Sequence, residues 1–261
     1  MRYGTCIGGK ETENIAVAAK LGFDYIETNF GFLARSTDEE FDSFKAALKE
    51  SSVLCEAANC FMPNDLPMTG PEVNYEGIKA YVDKGMSRGS EVGLKIVVFG
   101  SGGARRIPEG FSYAEGIRQL GYFLGEIVSP IAEKYGITVV IEPLRAQECN
   151  MINTVNEGVM LSVLAGKANI QTLADIYHMK FAHETPDNIK LVKGSLYHAH
   201  ISNPMPEGVA KRYYMKPGDE CDYKAFVDAL RFAGCERCSI EASTSDFAND
   251  AAEAIKILRA L

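Results

Sequence analysis

The chain has 261 residues, of which 46% are hydrophobic and 24% charged, and these proportions are ordinary for a globular protein with a sizeable core. Its net charge of −8 argues against nucleic acid as a partner, because proteins that bind phosphate backbones carry a dense basic face. There is no signal-peptide pattern, no apolar run of membrane-spanning length and no disulfide pattern among the seven cysteines, so we expect a cytoplasmic protein without a membrane partner.

Short β-rich runs alternate with longer stretches of helical periodicity along the whole chain. The β-rich runs predict eight strands, at 3–6, 25–28, 54–58, 96–99, 138–141, 171–174, 196–199 and 238–240. Helices are predicted at 10–21, 38–50, 72–92, 112–135, 155–165, 186–193, 222–233 and 247–260. Thr37 and Asp222 are suited to cap two of these helices.

This alternation predicts parallel strands joined by crossover helices. Eight such units predict a single α/β domain over residues 1–261, closed as a (β/α)8 TIM barrel. An open doubly wound sheet is the alternative. It usually has a GxGxxG turn after its first strand, and the run Cys6-Ile7-Gly8-Gly9-Lys10 does not supply one.

Four consecutive predicted strands end in a side chain that can bind a metal, namely Glu142, Asp175, His200 and Glu241. A lone acid at a strand end is more often a loop carboxylate or a helix cap. Neighbouring barrel strands bring their ends together, however, and three clustered carboxylates would repel one another without a cation. An oxygen-rich set of this kind favours Mn²⁺ or Mg²⁺, with Co²⁺ able to substitute.

The residues around these strand ends carry a family resemblance. They form the runs Ile141-Glu142-Pro143-Leu144, Asp175-Ile176-Tyr177-His178-Met179, His198-Ala199-His200-Ile201 and Ser239-Ile240-Glu241-Ala242. The runs resemble those of the xylose-isomerase-like superfamily of sugar isomerases and epimerases, in particular its branch of ketose 3-epimerases and hydroxypyruvate-isomerase-like proteins. The resemblance extends over essentially the whole chain and implies a TIM barrel that forms a homo-oligomer.

The resemblance also implies roles for individual residues. Glu142, Asp175, His200 and Glu241 are implied metal ligands, and Glu142 and Glu241 are also the implied acid/base pair. Glu148 and His178 are implied contacts to the hydroxyls or carbonyl of the substrate.

One feature of the ketose 3-epimerases is missing. They place an arginine six residues after the metal-binding histidine, and this chain has Pro206 there. Arg212, or its neighbour Lys211, is the substitute that we consider, in a segment (203–219) whose length suggests a functional loop over the site or a subunit contact.

Three further residues at the same face of the barrel are candidates. Glu27 after strand two is a predicted substrate contact. Arg105 follows the turn Gly100-Ser101-Gly102-Gly103 and is predicted to approach an anionic group of the substrate, unless this is a plain flexible turn. His198 points to the same strand face as His200 but one layer deeper, which predicts a supporting hydrogen bond.

The function predicted from these features is a metal-dependent sugar isomerase or ketose 3-epimerase that transfers protons through a metal-bound ene-diolate. Two carboxylates on opposite faces of the sugar would invert a carbon, whereas transfer on one face would interconvert an aldose and a ketose. The nearest alternative is a dehydratase of an inosose- or dehydroshikimate-like substrate. A non-catalytic sugar- or metal-binding barrel is disfavoured by the complete acid set, and an apurinic endonuclease by the presence of only four histidines.

Overall fold

The computed structural model describes residues 1–204 and 211–261, so Pro206 lies outside the described residues. The strands are β1 (Arg2–Cys6), β2 (Tyr25–Asn29), β3 (Cys55–Asn59), β4 (Ile96–Phe99), β5 (Thr138–Ile141), β6 (Ile170–Asp175), β7 (Leu196–Ile201), β8 (Asn203–Pro204), β9 (Arg212–Tyr213) and β10 (Arg237–Ile240). A closed parallel barrel has the order β1-β10-β7-β6-β5-β4-β3-β2, and β8 and β9 form a separate antiparallel pair. The predicted TIM barrel is therefore confirmed.

Helices cover the outside of the barrel. They are α1 (Thr12–Leu21), α2 (Phe30–Arg35), α3 (Asp38–Ser51), α4 (Tyr75–Glu91), α5 (Gly102–Arg105), α6 (Tyr113–Tyr122), α7 (Ser129–Lys134), α8 (Val155–Ala165), α9 (Ile176–Phe181), α10 (Pro186–Leu191), α11 (Tyr223–Ala233) and α12 (Phe247–Ala260). A π-helical segment, Phe123–Val128, joins α6 to α7 within one predicted helix. The sequence did not predict α2, α5 and α9, because they have six residues or fewer and are too short to show a helical period. No helix of the described residues has the length and apolar character to cross a membrane.

The predicted caps are present. The Thr37 hydroxyl accepts the backbone N–H of Glu40, and the Glu40 carboxylate accepts the backbone N–H of Thr37, which forms a capping box at the start of α3. Asp222 accepts the backbone N–H of Ala225 at the start of α11. These bonds satisfy N–H groups that the first turn of each helix leaves without a partner.

Two apolar regions fill the molecule. The larger one packs the outward faces of the strands against the helices. The smaller one fills the lumen and consists of Tyr25, Ala57, Ile96, Val98, Val140 and Leu173, all fully buried. This apolar layer separates the polar groups at the carboxyl ends of the strands from an ion-pair cluster at their amino ends, where Arg2 and Arg237 contact Glu56.

Two strand pairs contain a register shift, which changes how far along the barrel axis the residues beyond it lie. On β7, Leu196 pairs with Thr172 of β6 and His198 pairs with Leu173, so Tyr197 is an extra residue. Beyond this irregularity Asp175 lies directly opposite His200. A similar shift between β2 and β3 immediately precedes Glu27.

We expect Thr37→Ala to lower the free energy of unfolding by about 1 kcal/mol, because it leaves an N–H group at the start of α3 without its acceptor. Urea denaturation followed by circular dichroism measures the change. Thr37→Ser retains the hydroxyl and should unfold close to the wild type. An equal loss in both variants would contradict the capping explanation.

Candidate metal centre and active site

The structure brings the four candidate ligands at the strand ends together at one mouth of the barrel. Glu142 follows β5, Asp175 ends β6, His200 lies in β7 and Glu241 follows β10, and these strands are consecutive in the barrel. Each residue offers one ligand atom, and the four atoms lie within 4.8 Å of one another. A cluster of three carboxylates with one imidazole fits a divalent cation, since bound charge offsets the repulsion among the acids.

Two of the carboxylates flank His200. Oε1 of Glu142 lies 3.1 Å from Nδ1 of His200, and Oε2 of Glu241 lies 3.2 Å from the same nitrogen. The other oxygen of Glu241 accepts a hydrogen bond from the side chain of Asn59 at 3.3 Å. Gly100 gives the Glu142 carboxylate its space, because a Cβ at this position would stand 2.3 Å from Oε2. Both carboxylates therefore present an oxygen to the position that Nδ1 faces.

Asp175 is oriented by the start of α9. One of its oxygens accepts the backbone N–H of Tyr177 at 2.7 Å, which leaves Oδ2 turned toward the site. The sequence Asp-Ile-Tyr at the end of β6 thus serves both as a helix cap and as the support of a candidate ligand.

Glu27 lies beneath the cluster rather than beside a substrate position. It is fully buried, and its two oxygens lie 2.9 Å from Nε2 of His198 and 2.9 Å from Nε2 of His200. Burial acts to raise the pKa of Glu27, but the charge of His200 and the hydrogen bond from His198 outweigh it, so the pKa lies below its usual value. A carboxylate engaged in this way holds the His200 ring, so we correct the predicted substrate contact of Glu27 to a contact with a candidate metal ligand.

Protonation of the cluster follows from the same contacts. Burial raises the pKa of Asp175 to about 6, with Arg212 opposing the shift. Burial also acts to raise the pKa of Glu142, but its hydrogen bond with His200 overcomes this and brings the pKa to about 2. Burial acts to lower the pKa of His200, yet Glu27 and Glu142 together raise it well above its usual value.

His178 is arranged as a neutral hydrogen-bond donor. Its Nδ1 accepts the backbone N–H of Arg145 at 3.1 Å, so the hydrogen of the neutral ring resides on Nε2. Burial lowers the pKa of His178 to about 3, although the Glu142 carboxylate acts in the opposite direction. Nε2 faces the site, 3.8 Å from Asp175 and 3.9 Å from Glu142. Its N–H group points into the site, where Nη2 of Arg212 lies 3.0 Å away.

Glu148 and Arg212 also lie near the mouth. Oε1 of Glu148 accepts a hydrogen bond from Nε of Arg145 at 2.6 Å, and 36% of the Glu148 side chain remains exposed. Arg212 lies on β9 and directs its guanidinium onto Asp175 and Glu241. The sequence did not indicate the role of Arg145, although its spacing three residues before Glu148 was a usable signal for an ion pair.

Arg105 does not reach the site. Its side chain is fully buried and donates to the carbonyl oxygens of Phe99 at 3.0 Å and Ile152 at 3.3 Å. The guanidinium therefore joins the end of β4 to the loop after β5. We correct the predicted contact with an anionic substrate group, because the guanidinium is enclosed and bonded to backbone carbonyl oxygens and has no exposed surface.

The chain belongs to the xylose isomerase-like TIM barrel family, whose model matches residues 15–261. It is 24% identical to a D-psicose 3-epimerase from Agrobacterium fabrum over 193 residues, which cover 71% of this chain and 65% of that relative. A 3-keto-D-glucoside 4-epimerase from E. coli has a TM-score of 0.81 and 21% identity, with 100% of both chains covered. A D-psicose 3-epimerase from Clostridium cellulolyticum H10 has a TM-score of 0.83 and 17% identity, with 100% and 99% covered. Both solved structures share the fold of this chain.

We expect Glu27→Gln to weaken Mn²⁺ binding by about 10- to 100-fold. A glutamine offers one acceptor oxygen and one NH₂ group, so it cannot accept from both His198 and His200, and the ligand ring loses its orientation. Isothermal titration calorimetry measures the affinity. Glu13→Gln, on the outside of the barrel in α1, removes the same charge and should leave the affinity unchanged. Full Mn²⁺ affinity in Glu27→Gln would contradict the supporting role.

Mn²⁺ affinity should increase as the pH is raised from about 5 to about 8. Below pH about 6 the Asp175 carboxyl holds a proton and cannot act as a ligand. His200, with its pKa raised, releases a proton from Nδ1 only at higher pH or in exchange for a metal. Titrations in buffers of different ionisation enthalpy would detect the released protons. An affinity that is flat or decreases across this range would contradict the assignment.

Proposed function

We propose that this protein is a divalent-metal-dependent epimerase of a small ketose, with Glu142 and Glu241 as the acid/base pair. The observation that carries the proposal is the placement of both carboxylates against one candidate metal position, within 3.1 and 3.2 Å of His200 Nδ1. The 3-epimerase and 4-epimerase activities of the similar proteins support it.

The chemistry requires removal of a proton from a carbon next to a carbonyl group. A divalent cation held by Glu142, Asp175, His200 and Glu241 would supply positive charge next to the oxygen on which negative charge develops. Mn²⁺ and Mg²⁺ suit this oxygen-rich set, and Co²⁺ can replace them.

Glu142 and Glu241 divide the proton transfer between them. They extend from β5 and β10, and β6 and β7 lie between these strands in the barrel. The two carboxylates therefore approach a bound sugar from different sides of the mouth. One removes the proton and the other returns one to the opposite face, which inverts the carbon.

His178 and Glu148 position the substrate in this proposal. The Nε2–H group of His178 donates to a substrate oxygen, a role that suits a ring whose pKa of about 3 keeps it neutral. Glu148 is partly exposed and can accept a hydrogen bond from a sugar hydroxyl while Arg145 holds its other side. Arg212 is the cationic contact that the mouth offers in place of the arginine expected at position 206.

Incubation with Mn²⁺ and a panel of ketoses and aldoses in deuterated water tests the function directly. Epimerisation places deuterium on the inverted carbon of a ketose, which nuclear magnetic resonance detects. Isomerisation would give an aldose, and dehydration would give an enone with new ultraviolet absorbance. Either of these products in place of an epimer would overturn the proposed reaction.

We expect Glu241→Gln to reduce turnover of the identified ketose by about 100-fold or more, because an amide cannot transfer the proton. The variant is compared at saturating Mn²⁺, with bound metal measured separately. Glu236→Gln, an exposed position just before β10, is the matched control and should retain activity. A Glu241→Gln protein that binds Mn²⁺ and keeps full turnover would refute the acid/base assignment.

A further inference from the structure

Arg212 occupies the ligand oxygens of the candidate metal centre. Its Nη1 lies 3.0 Å from Oδ2 of Asp175 and also contacts Oε2 of Glu241. The Arg212 side chain is 18% exposed, and its guanidinium stacks 4.5 Å from the centre of the Tyr177 ring. It is therefore a largely buried cation placed directly between two of the four candidate ligands.

The oxygens that Arg212 takes are those that a metal would need. The other oxygen of Asp175 is bound to the N–H of Tyr177, and the other oxygen of Glu241 is bound to Asn59. Oε2 of Glu241 is also the oxygen that faces Nδ1 of His200. A metal held by this set would therefore compete with Arg212, in its present position, for the same oxygens.

A second neighbour of the guanidinium, His178, accepts no hydrogen bond from it. Nη2 of Arg212 lies 3.0 Å from Nε2 of His178. Because Nδ1 of His178 accepts an N–H group, Nε2 carries the hydrogen, and two donors face each other across this distance. The contact contributes no hydrogen bond, so within residues 1–204 and 211–261 the guanidinium is held by the two carboxylates and the Tyr177 stack.

The backbone of Arg212 is fixed independently of its side chain. The β8–β9 pair joins Pro204 to Arg212, and the carbonyl oxygen of Arg212 accepts the N–H of Ser243, two residues after Glu241. Its long side chain can therefore change direction while its Cα remains at the mouth.

We propose that Arg212 is an internal counter-cation of the ligand carboxylates and that metal binding displaces its guanidinium toward the mouth, where it faces the substrate. The residue then couples the two events: it competes with the metal and becomes available to the sugar only after the metal has bound. This inference rests on the proposed metal centre.

The test is Mn²⁺ affinity, measured by isothermal titration calorimetry on chelator-treated protein. Arg212→Gln removes the competing charge and should bind Mn²⁺ about fivefold or more tightly than the wild type. The chelator-treated variant should also melt at a lower temperature than chelator-treated wild type, since its carboxylates have lost their partner. Arg118→Gln removes an exposed arginine on α6 that pairs with Glu115 on the same helix, and it should change neither quantity.

Arg212→Lys keeps the positive charge, and its Mn²⁺ affinity should remain closer to the wild type than that of Arg212→Gln. This variant replaces Arg212→Gln in the test if the glutamine variant does not fold. Because the lysine ammonium group contacts fewer oxygens than a guanidinium, the Arg212→Lys protein should still bind Mn²⁺ more tightly than the wild type. A residue that contacts only substrate would change KM for the sugar and leave Mn²⁺ affinity as it is. Unchanged or weaker affinity in the folded variants overturns the competition, whereas a wild type that binds no Mn²⁺ overturns the metal centre itself.

Discussion

The arrangement of side chains at the carboxyl end of this barrel depends on a concentration of negative charge in a closed space. Four carboxylates surround His200 there, and an ionised carboxylate without a partner is costly to bury. His200 lies at the centre because each of its ring nitrogens faces a carboxylate, Glu27 below and Glu142 above. At one end of the cluster His198 donates a hydrogen bond to Glu27, and at the other Arg212 places a positive charge on Asp175. The arrangement explains why imidazole and guanidinium groups occur on the inside of the barrel beside the acids.

Much of the architecture and the candidate ligands could be predicted from the sequence. Alternation of strand and helix patterns depends on local periodicity, and all eight barrel strands lie where it indicated. The ligand positions followed from one topological rule, that parallel strands of a barrel end at the same face. His198 and His200 share a face because side chains alternate along a strand, and that rule also placed His198 one layer below.

The misjudged residues were those whose depth or direction depends on tertiary geometry. Glu27 ends up in the supporting layer because strand tilt and stagger determine how far a position lies from the mouth, and the sequence of one strand does not contain them. Arg105 is bonded to the carbonyl oxygens of Phe99 and Ile152, and the turn before it contains Ser101 in a left-handed conformation with φ of 44°. Such a conformation is uncommon for serine and carries no sequence signature.

The extra residue in β7 has a structural consequence for the whole centre. Tyr197 has no partner on β6, and the pairing resumes one step later with His198. The height of His200 in the barrel is therefore not determined by the height at which β7 begins. Strands that begin at different heights can still place their last side chains in one plane. An insertion or deletion at the amino ends of the strands therefore need not move the candidate metal ligands. One closed sheet can thus accept variation in where its strands begin and still keep the side chains at their carboxyl ends aligned.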